Sequence, residues 1–212
     1  MKWLIELIRS LFKPKDKPIA LETPAKLPEI GTIETPKTPG VDLILESITI
    51  NERSVSELAS VCNTIELNKE RYLSAQRLTG VPWDVIAACH YRESSLSFRG
   101  VLHNGEHIIG TGRKTKLVPA GRGPFGSWEA AAVDAMMIES SKFPKVWDTA
   151  GKLDFTERYN GLGYRKKGVP SPYVYAGTNK YSSGLYVADG KYSSTKVDLR
   201  LGTAAIIKGL AS

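Results

Sequence analysis

The sequence predicts a mainly α chain of α+β type, with one small β or irregular tyrosine-rich insertion. Three observations carry this. Apolar residues recur at helical spacing through most of residues 51–96. Helix start and stop residues bracket those stretches. Strand and hairpin signals are confined to residues 163–192, which hold six of the nine tyrosines.

The elements follow in chain order. Residues 2–12 (KWLIELIRSLF) place Leu4, Leu7, Ile8 and Leu11 on one helical face. Glu6 and Arg9 interrupt the apolar run, so it neither spans a bilayer nor forms the centre of an ordinary cleavable signal peptide. This amphipathic helix, residues 1–12, either docks on a membrane surface or protein partner or folds back onto the domain. Residues 13–40 hold six of the twelve prolines and read as a semi-rigid linker. Residues 41–212 form the main domain, long enough to bury a core without disulfide staples.

Within that domain Ser54 and Glu57 have capping-box spacing ahead of Val55, Leu58, Val61, Cys62 and Ile65. A second helix over 69–78 stops at Thr79-Gly80, where Gly suits the left-handed residue past a helix end. Pro82 suits the first turn of a third helix, running from Trp83 to about Leu96. Residues 100–126 (GVLHNGEHIIGTGRKTKLVPAGRGPFG) form either a long polar loop or a pair of short strands. Ser127 caps a helix over 128–141, and a shorter one covers 151–160. Asp189-Gly190 between two tyrosine-bearing runs marks a hairpin, and a helix over 203–210 follows.

A net charge of +7 favours polyanions, and nucleic acid, anionic lipid and bacterial wall all qualify. No nucleic-acid motif is present, so no nucleic-acid partner is expected. Cys62 and Cys89 read as buried reduced thiols, with a single bridge between packed helices as the alternative. His103 and His107 share a loop without a carboxylate or thiol at ligand spacing, and no metal is expected.

The chemistry centres on Glu93. Its helix is apolar at the start and polar at the end, so it begins in a core and surfaces at a cleft. At the helix C-terminus the dipole disfavours an ionised carboxylate, and burial acts the same way. A carboxylic acid kept protonated near neutral pH suits proton donation to a leaving sugar oxygen. The plainer reading is a surface Glu paired with Arg92 or Arg99.

Residues 79–98 (TGVPWDVIAACHYRESSLSF) resemble the catalytic helix of the goose-type lysozyme and lytic transglycosylase families, with its Gly-Val-Pro-like start and Glu-Ser end. Residues 157–164 (ERYNGLGY) are similar to their Tyr-Asn-Ala-Gly motif, and the two occur in the right order. The resemblance covers about residues 55–165 and implies a lysozyme-like helical domain. It further implies cleavage of peptidoglycan between N-acetylmuramic acid and N-acetylglucosamine, without a cofactor. Glu93 then carries over as general acid, with Ser94, Tyr159 and Asn160 beside it in the cleft. The families' Gly-Leu-Met-Gln segment is missing, and residues 121–136 (GRGPFGSWEAAAVDAM) stand where it would fall. A divergent bacteriophage endolysin or virion lysin fits, acting at the cell wall and exported by another route or carried in the virion.

A hydrolase needs a second carboxylate, and Glu106 in the polar loop is the best candidate; a transglycosylase needs none. Hydrolysis is slightly favoured. Asp134 and Glu139 read as exposed helix positions, and Asp154 and Glu157 as facing solvent. Tyr164, Tyr173 and Tyr175 are candidates to stack on sugar faces, or else half-buried strand residues. Arg113, Lys114, Lys116, Arg122, Arg165, Lys166 and Lys167 lie around the proposed cleft segments, where they attract an acidic wall or simply face solvent. The reading from a different class is a non-catalytic wall-binding or structural virion protein on the same scaffold.

Overall fold

Apolar spacing and helix punctuation translate into nine α-helices among the described residues, 43–211, of the computed structural model. They are α1 (Leu43–Ser47), α2 (Val55–Leu67), α3 (Lys69–Thr79), α4 (Trp83–Ser94), α5 (Trp128–Ile138), α6 (Thr149–Asn160), α7 (Gly163–Lys167), α8 (Pro172–Tyr175) and α9 (Thr203–Leu210). Strands β1 (Leu185–Ala188) and β2 (Lys191–Ser193) form one antiparallel pair. The mainly α, α+β expectation holds. The helix expected over 2–12 and the linker over 13–40 lie outside the described residues.

The core is built around α4, whose residues from Asp84 to Arg92 are all buried. A helix covered on every side needs neighbours all round, and α3, α6 and α9 pack against it. Their large buried side chains include Tyr72, Phe155 and Ile206, joined by Trp128 of α5. Each such residue contributes roughly 1.5–3 kcal/mol by leaving water. Polar members of α4 are matched individually. Asp84 pairs with Lys152. His90 meets the Tyr72 hydroxyl at 3.0 Å inside a cage of Tyr72, Phe98 and Trp128 rings. Burial holds that imidazole down to a pKa of about 4, so it is neutral at physiological pH.

Helix ends mostly follow the sequence signals. Gly80 closes α3 in the left-handed region at φ 73°. The Ser127 hydroxyl caps α5 by accepting the Ala130 amide, and the Asp148 carboxylate caps α6 by accepting that of Gly151. The 128–141 helix stops sooner, at Ile138, with a 3-10 turn over Ser140–Lys142 behind it. Pro82 sits just before α4 rather than in its first turn.

The capping box at Ser54 does not form. Residues Glu52–Ser54 already make a 3-10 turn, so Ser54 has helical backbone angles and no capping hydrogen bond. The Glu57 carboxylate instead accepts the Tyr91 hydroxyl. Of the two readings of residues 100–126, the loop is correct, with one isolated bridge between Gly100 and His107. The tyrosine-rich segment is only partly β. Its first half folds as α7 and α8, with Pro172 in the first turn of α8, and the hairpin is confined to 185–193 with Asp189-Gly190 at its turn. Both cysteines are free.

Gly202 marks the tightest crossing. A Cβ there would collide with the Val174 carbonyl oxygen and approach the Ala176 amide at 2.7 Å, both unyielding backbone atoms. Gly202→Ala is therefore expected to push α9 from α8 and cost about 1–3 kcal/mol. A urea melt reads this directly; an unchanged midpoint would refute the packing argument.

Candidate functional site

The end of α4 sets the site. Ser95 and Leu96 both take left-handed backbone angles, with φ 52° and 61°. Two non-glycine residues in that region are strained and turn the chain sharply. The turn leaves Glu93 partly open while its carboxyl stays among buried groups. Desolvation by burial raises the Glu93 pKa to about 7, against lowering by the Tyr173 hydrogen bond and the Arg92 and Arg200 charges. A carboxyl of this kind is protonated in about half the molecules at neutral pH.

Tyr173, from α8, donates its hydroxyl to Glu93 Oε1 at 2.8 Å. It is itself buried, and its own pKa is driven far up by desolvation, so it remains a donor. The Arg92 guanidinium lies over the Tyr173 ring, 4.9 Å from its centre. Arg92 does not pair with Glu93, as the plainer sequence reading had it. Its Nη2 binds Asp198 at 2.8 Å and its Nη1 the Leu201 carbonyl at 3.1 Å, fully inside the protein. Arg200 grips the same carboxylate through Nε at 3.1 Å and Nη2 at 2.9 Å. Two guanidinium groups thus share one carboxylate, leaving a net positive wall beside Glu93.

A cavity of about 350 Å³ opens against this wall. Arg92, Asn160, Tyr164, Tyr173, Tyr186 and Arg200 contribute to its lining. The Tyr164 hydroxyl accepts the Tyr186 amide at 3.1 Å, and the rings of Tyr164, Tyr186 and Tyr192 meet edge to face. That contact fixes the hairpin at the cavity edge.

Of the residues singled out from sequence, Asn160, Tyr164 and Tyr173 line this cavity, and Glu93 is joined to it by its hydrogen bond with Tyr173. The others have partners of their own. The Ser94 hydroxyl faces the His90 and Ser97 carbonyls at 3.3 and 3.4 Å and serves the helix end. The Tyr159 hydroxyl donates to the Leu102 carbonyl at 2.7 Å and not to Glu93, yet it is buried near that acid: desolvation first, then the charges of Cys89 and Glu93, hold its pKa well above the ordinary range. Tyr175 is a partly buried residue packed on the core. Glu106 accepts the backbone amides of Lys116 and Leu117. Desolvation pushes its carboxyl up, but the Leu117 and Lys116 amides, the Asn104 side chain and the Lys116 charge outweigh this and hold it below the usual range.

The other acids also have partners. Asp134 is not a free helix position: Arg122 and His103 both bind it. Glu139 pairs with Lys142. Asp154 and Glu157 face Arg165, which removes that arginine from the unpaired basic surface. Arg92, Tyr186, Asp198 and Arg200 were not singled out as site residues. The one visible signal for the last pair is the opposite charge of Asp198 and Arg200 two positions apart, and nothing local points them at Glu93.

Among the described residues no group of three or more His, Cys, Asp or Glu is placed to hold a metal ion, and no helix is long and apolar enough to cross a membrane. Comparison with family models, with curated proteins and with solved structures yields no match.

Proposed function

We propose that the chain cleaves the glycan strand of peptidoglycan, at the bond between N-acetylmuramic acid and N-acetylglucosamine, with Glu93 as the proton donor. The observation that carries this reading is a carboxyl with a pKa near 7, held by a buried tyrosine hydroxyl beside a cavity lined with tyrosine and arginine. Tyrosine rings pack on sugar faces and their hydroxyls hydrogen-bond sugar oxygens. Glu93 gives its proton to the glycosidic oxygen as the C1–O bond breaks.

Two products then differ in what attacks C1. Water attack needs a carboxylate base on the far face of the ring. In the alternative, the muramyl C6 hydroxyl attacks, its proton returns to Glu93, and a 1,6-anhydro end forms. The engagement of Glu106 with the Lys116 and Leu117 amides favours the second route, because it leaves the best candidate base already occupied. Mass spectrometry of digested, purified peptidoglycan separates the outcomes. Anhydro ends support transglycosylation, reducing ends support hydrolysis, and the absence of soluble fragments would sink the reading.

Tyr173→Phe removes a hydrogen bond that lowers the Glu93 pKa. The alkaline limb of the rate profile should move to higher pH, and kcat should fall about 10-fold through lost orientation. A profile unchanged in position would mean that the hydroxyl does not govern the acid.

A further inference from the structure

The loop between the Gly100–His107 bridge and α5 is tied down far more tightly than proton donation requires. Glu106 Oε2 accepts the amides of Lys116 and Leu117, each at 2.9 Å. Asn104 Nδ2 donates to the Leu117 carbonyl at 3.1 Å. Thr115 is buried; its hydroxyl donates to the Pro119 carbonyl at 2.6 Å and accepts the Arg122 amide at 3.0 Å. Backbone bonds from Thr115 to Arg122 and from Gly121 to Thr115 close the loop at 2.9 and 2.8 Å.

What this network presents is apolar. Leu117 is 57% exposed and Val118 86%. An exposed apolar pair on a rigid loop has little ordering entropy left to lose on binding. Residues 107–128 contain no Asp or Glu, Lys114 and Lys116 beside the tip are exposed, and the carboxylate that reaches the tip, Glu106, is taken up by the Lys116 and Leu117 amides. The loop is also anchored at the candidate acid. Asn104 and Glu106 flank Gly105, where a Cβ would collide with the Glu93 carbonyl oxygen.

We propose that residues 114–118 form a second wall of the glycan site, reaching an N-acetylated strand that carries carboxylates. Leu117 and Val118 cover acetamido methyl groups and sugar faces, and Lys114 and Lys116 meet the carboxylates. Glu106 is a positioning residue that holds this wall. The inference rests on the glycan-cleaving reading and assigns the part of the strand that the cavity around Tyr186 does not contact.

The test uses the full chain carrying Glu93→Gln, so that ligand survives. Affinity is measured by calorimetry for three oligosaccharides: neutral N-acetylglucosamine tetramer, a muramyl-containing tetrasaccharide with free lactyl carboxylates, and its peptide-bearing form. Leu117→Ser with Val118→Ser should weaken all three about 10-fold. Lys114→Gln with Lys116→Gln should weaken only the acidic ligands, about 5-fold, and flatten their salt dependence. Whichever acidic form loses more identifies the carboxylate as lactyl or peptide.

With Glu93 intact, Glu106→Gln should raise KM about 5-fold and keep kcat within about 3-fold, whereas loss of a general base lowers kcat by about 10²-fold or more. Unchanged affinity in both loop variants would overturn the proposal while leaving the role of Glu93 standing. Undiminished glycan affinity together with loss of binding to phosphatidylglycerol vesicles in the Leu117 and Val118 variant would overturn it in favour of a membrane contact. Failure of the parent protein to bind or cleave any of the glycans would remove both readings.

Discussion

Glu93→Gln is expected to lower release of glycan fragments by about 10²–10⁴-fold, the usual worth of a positioned general acid. Glutamine keeps the size of the side chain and can still accept the Tyr173 hydroxyl, so the fold should persist. The same substitution makes a thermodynamic prediction. Burial raises the acid from an ordinary 4.5 to about 7, which means the folded state holds a proton that the unfolded chain has lost. Stability linked to Glu93 is complete below the unfolded value and is lost as pH rises through 7. At pH 8 the wild type carries a desolvated carboxylate and the variant does not. A full shift of this size corresponds to roughly 3 kcal/mol, and partial exposure reduces the expected gain to about 1–2 kcal/mol. Thermal melts of both proteins at pH 5 and pH 8 decide the matter. The variant should be the more stable at pH 8, and the gap should close toward pH 5. The activity profile should mirror this, with wild-type cleavage falling as pH rises through about 7. Equal melting at both values, together with undiminished cleavage, would remove Glu93 from the centre of the site.

Asp198→Ala should be the most damaging single change to stability outside the apolar core. Arg92 is 3% exposed at its side chain, and Asp198 is its ionic partner. Removing the carboxylate leaves a guanidinium inside the protein with the Leu201 carbonyl as its remaining hydrogen-bond acceptor, a situation that costs about 3–5 kcal/mol. The melting temperature should fall by roughly 10 °C. Arg200 loses its anchor in the same step, so the cavity wall loosens together with the fold. Replacing both members, Arg92→Met with Asp198→Leu, should recover much of the loss, since it leaves no unpaired charge inside the protein: Arg200 loses its partner too, but its side chain is 54% exposed and water takes the place of the carboxylate. Desolvation raises the Asp198 pKa, but Arg200 and Arg92 outweigh it and hold the group below its ordinary range. Its contribution is therefore present at neutral pH and lost as pH falls through the folded value. A double variant less stable than Asp198→Ala would show that the pair is not what holds this wall.

The helices were legible because their signals are local. The 3.6-residue spacing, Gly80 beyond α3 and the Ser127 cap each act within one or two turns. The Ser54–Glu57 box misled because its spacing is local but its outcome is not: Tyr91, on another helix, takes Glu57 instead. The same distinction runs through the site. Glu93 could be read from the polarity gradient of its own helix. Tyr173 was suspected only as a stacking residue, and its hydrogen bond across 80 positions has no local trace. The buried pairing of Arg92 with Asp198 spans 106 positions and is likewise a property of packing alone. Residues 100–126 read from sequence as a long polar loop or a pair of short strands, and nothing in their composition shows that Asn104, Glu106 and Thr115 bond the loop's own backbone while Arg113, Lys114 and Lys116 stay exposed. Composition cannot tell a loop that is merely exposed from one that is built.

The free thiol of Cys89 lies one helical turn before Glu93 and is fully buried. Desolvation pushes its pKa far above the ordinary range, so almost no thiolate exists to react with oxidants or alkylating agents while the domain is closed. Its modification therefore requires α4 to separate from the helices packed around it. Cys89 is thereby a built-in clock for the opening of the helix that carries the acid. Its rate of labelling counts the excursions in which the protein briefly ceases to have a site at all.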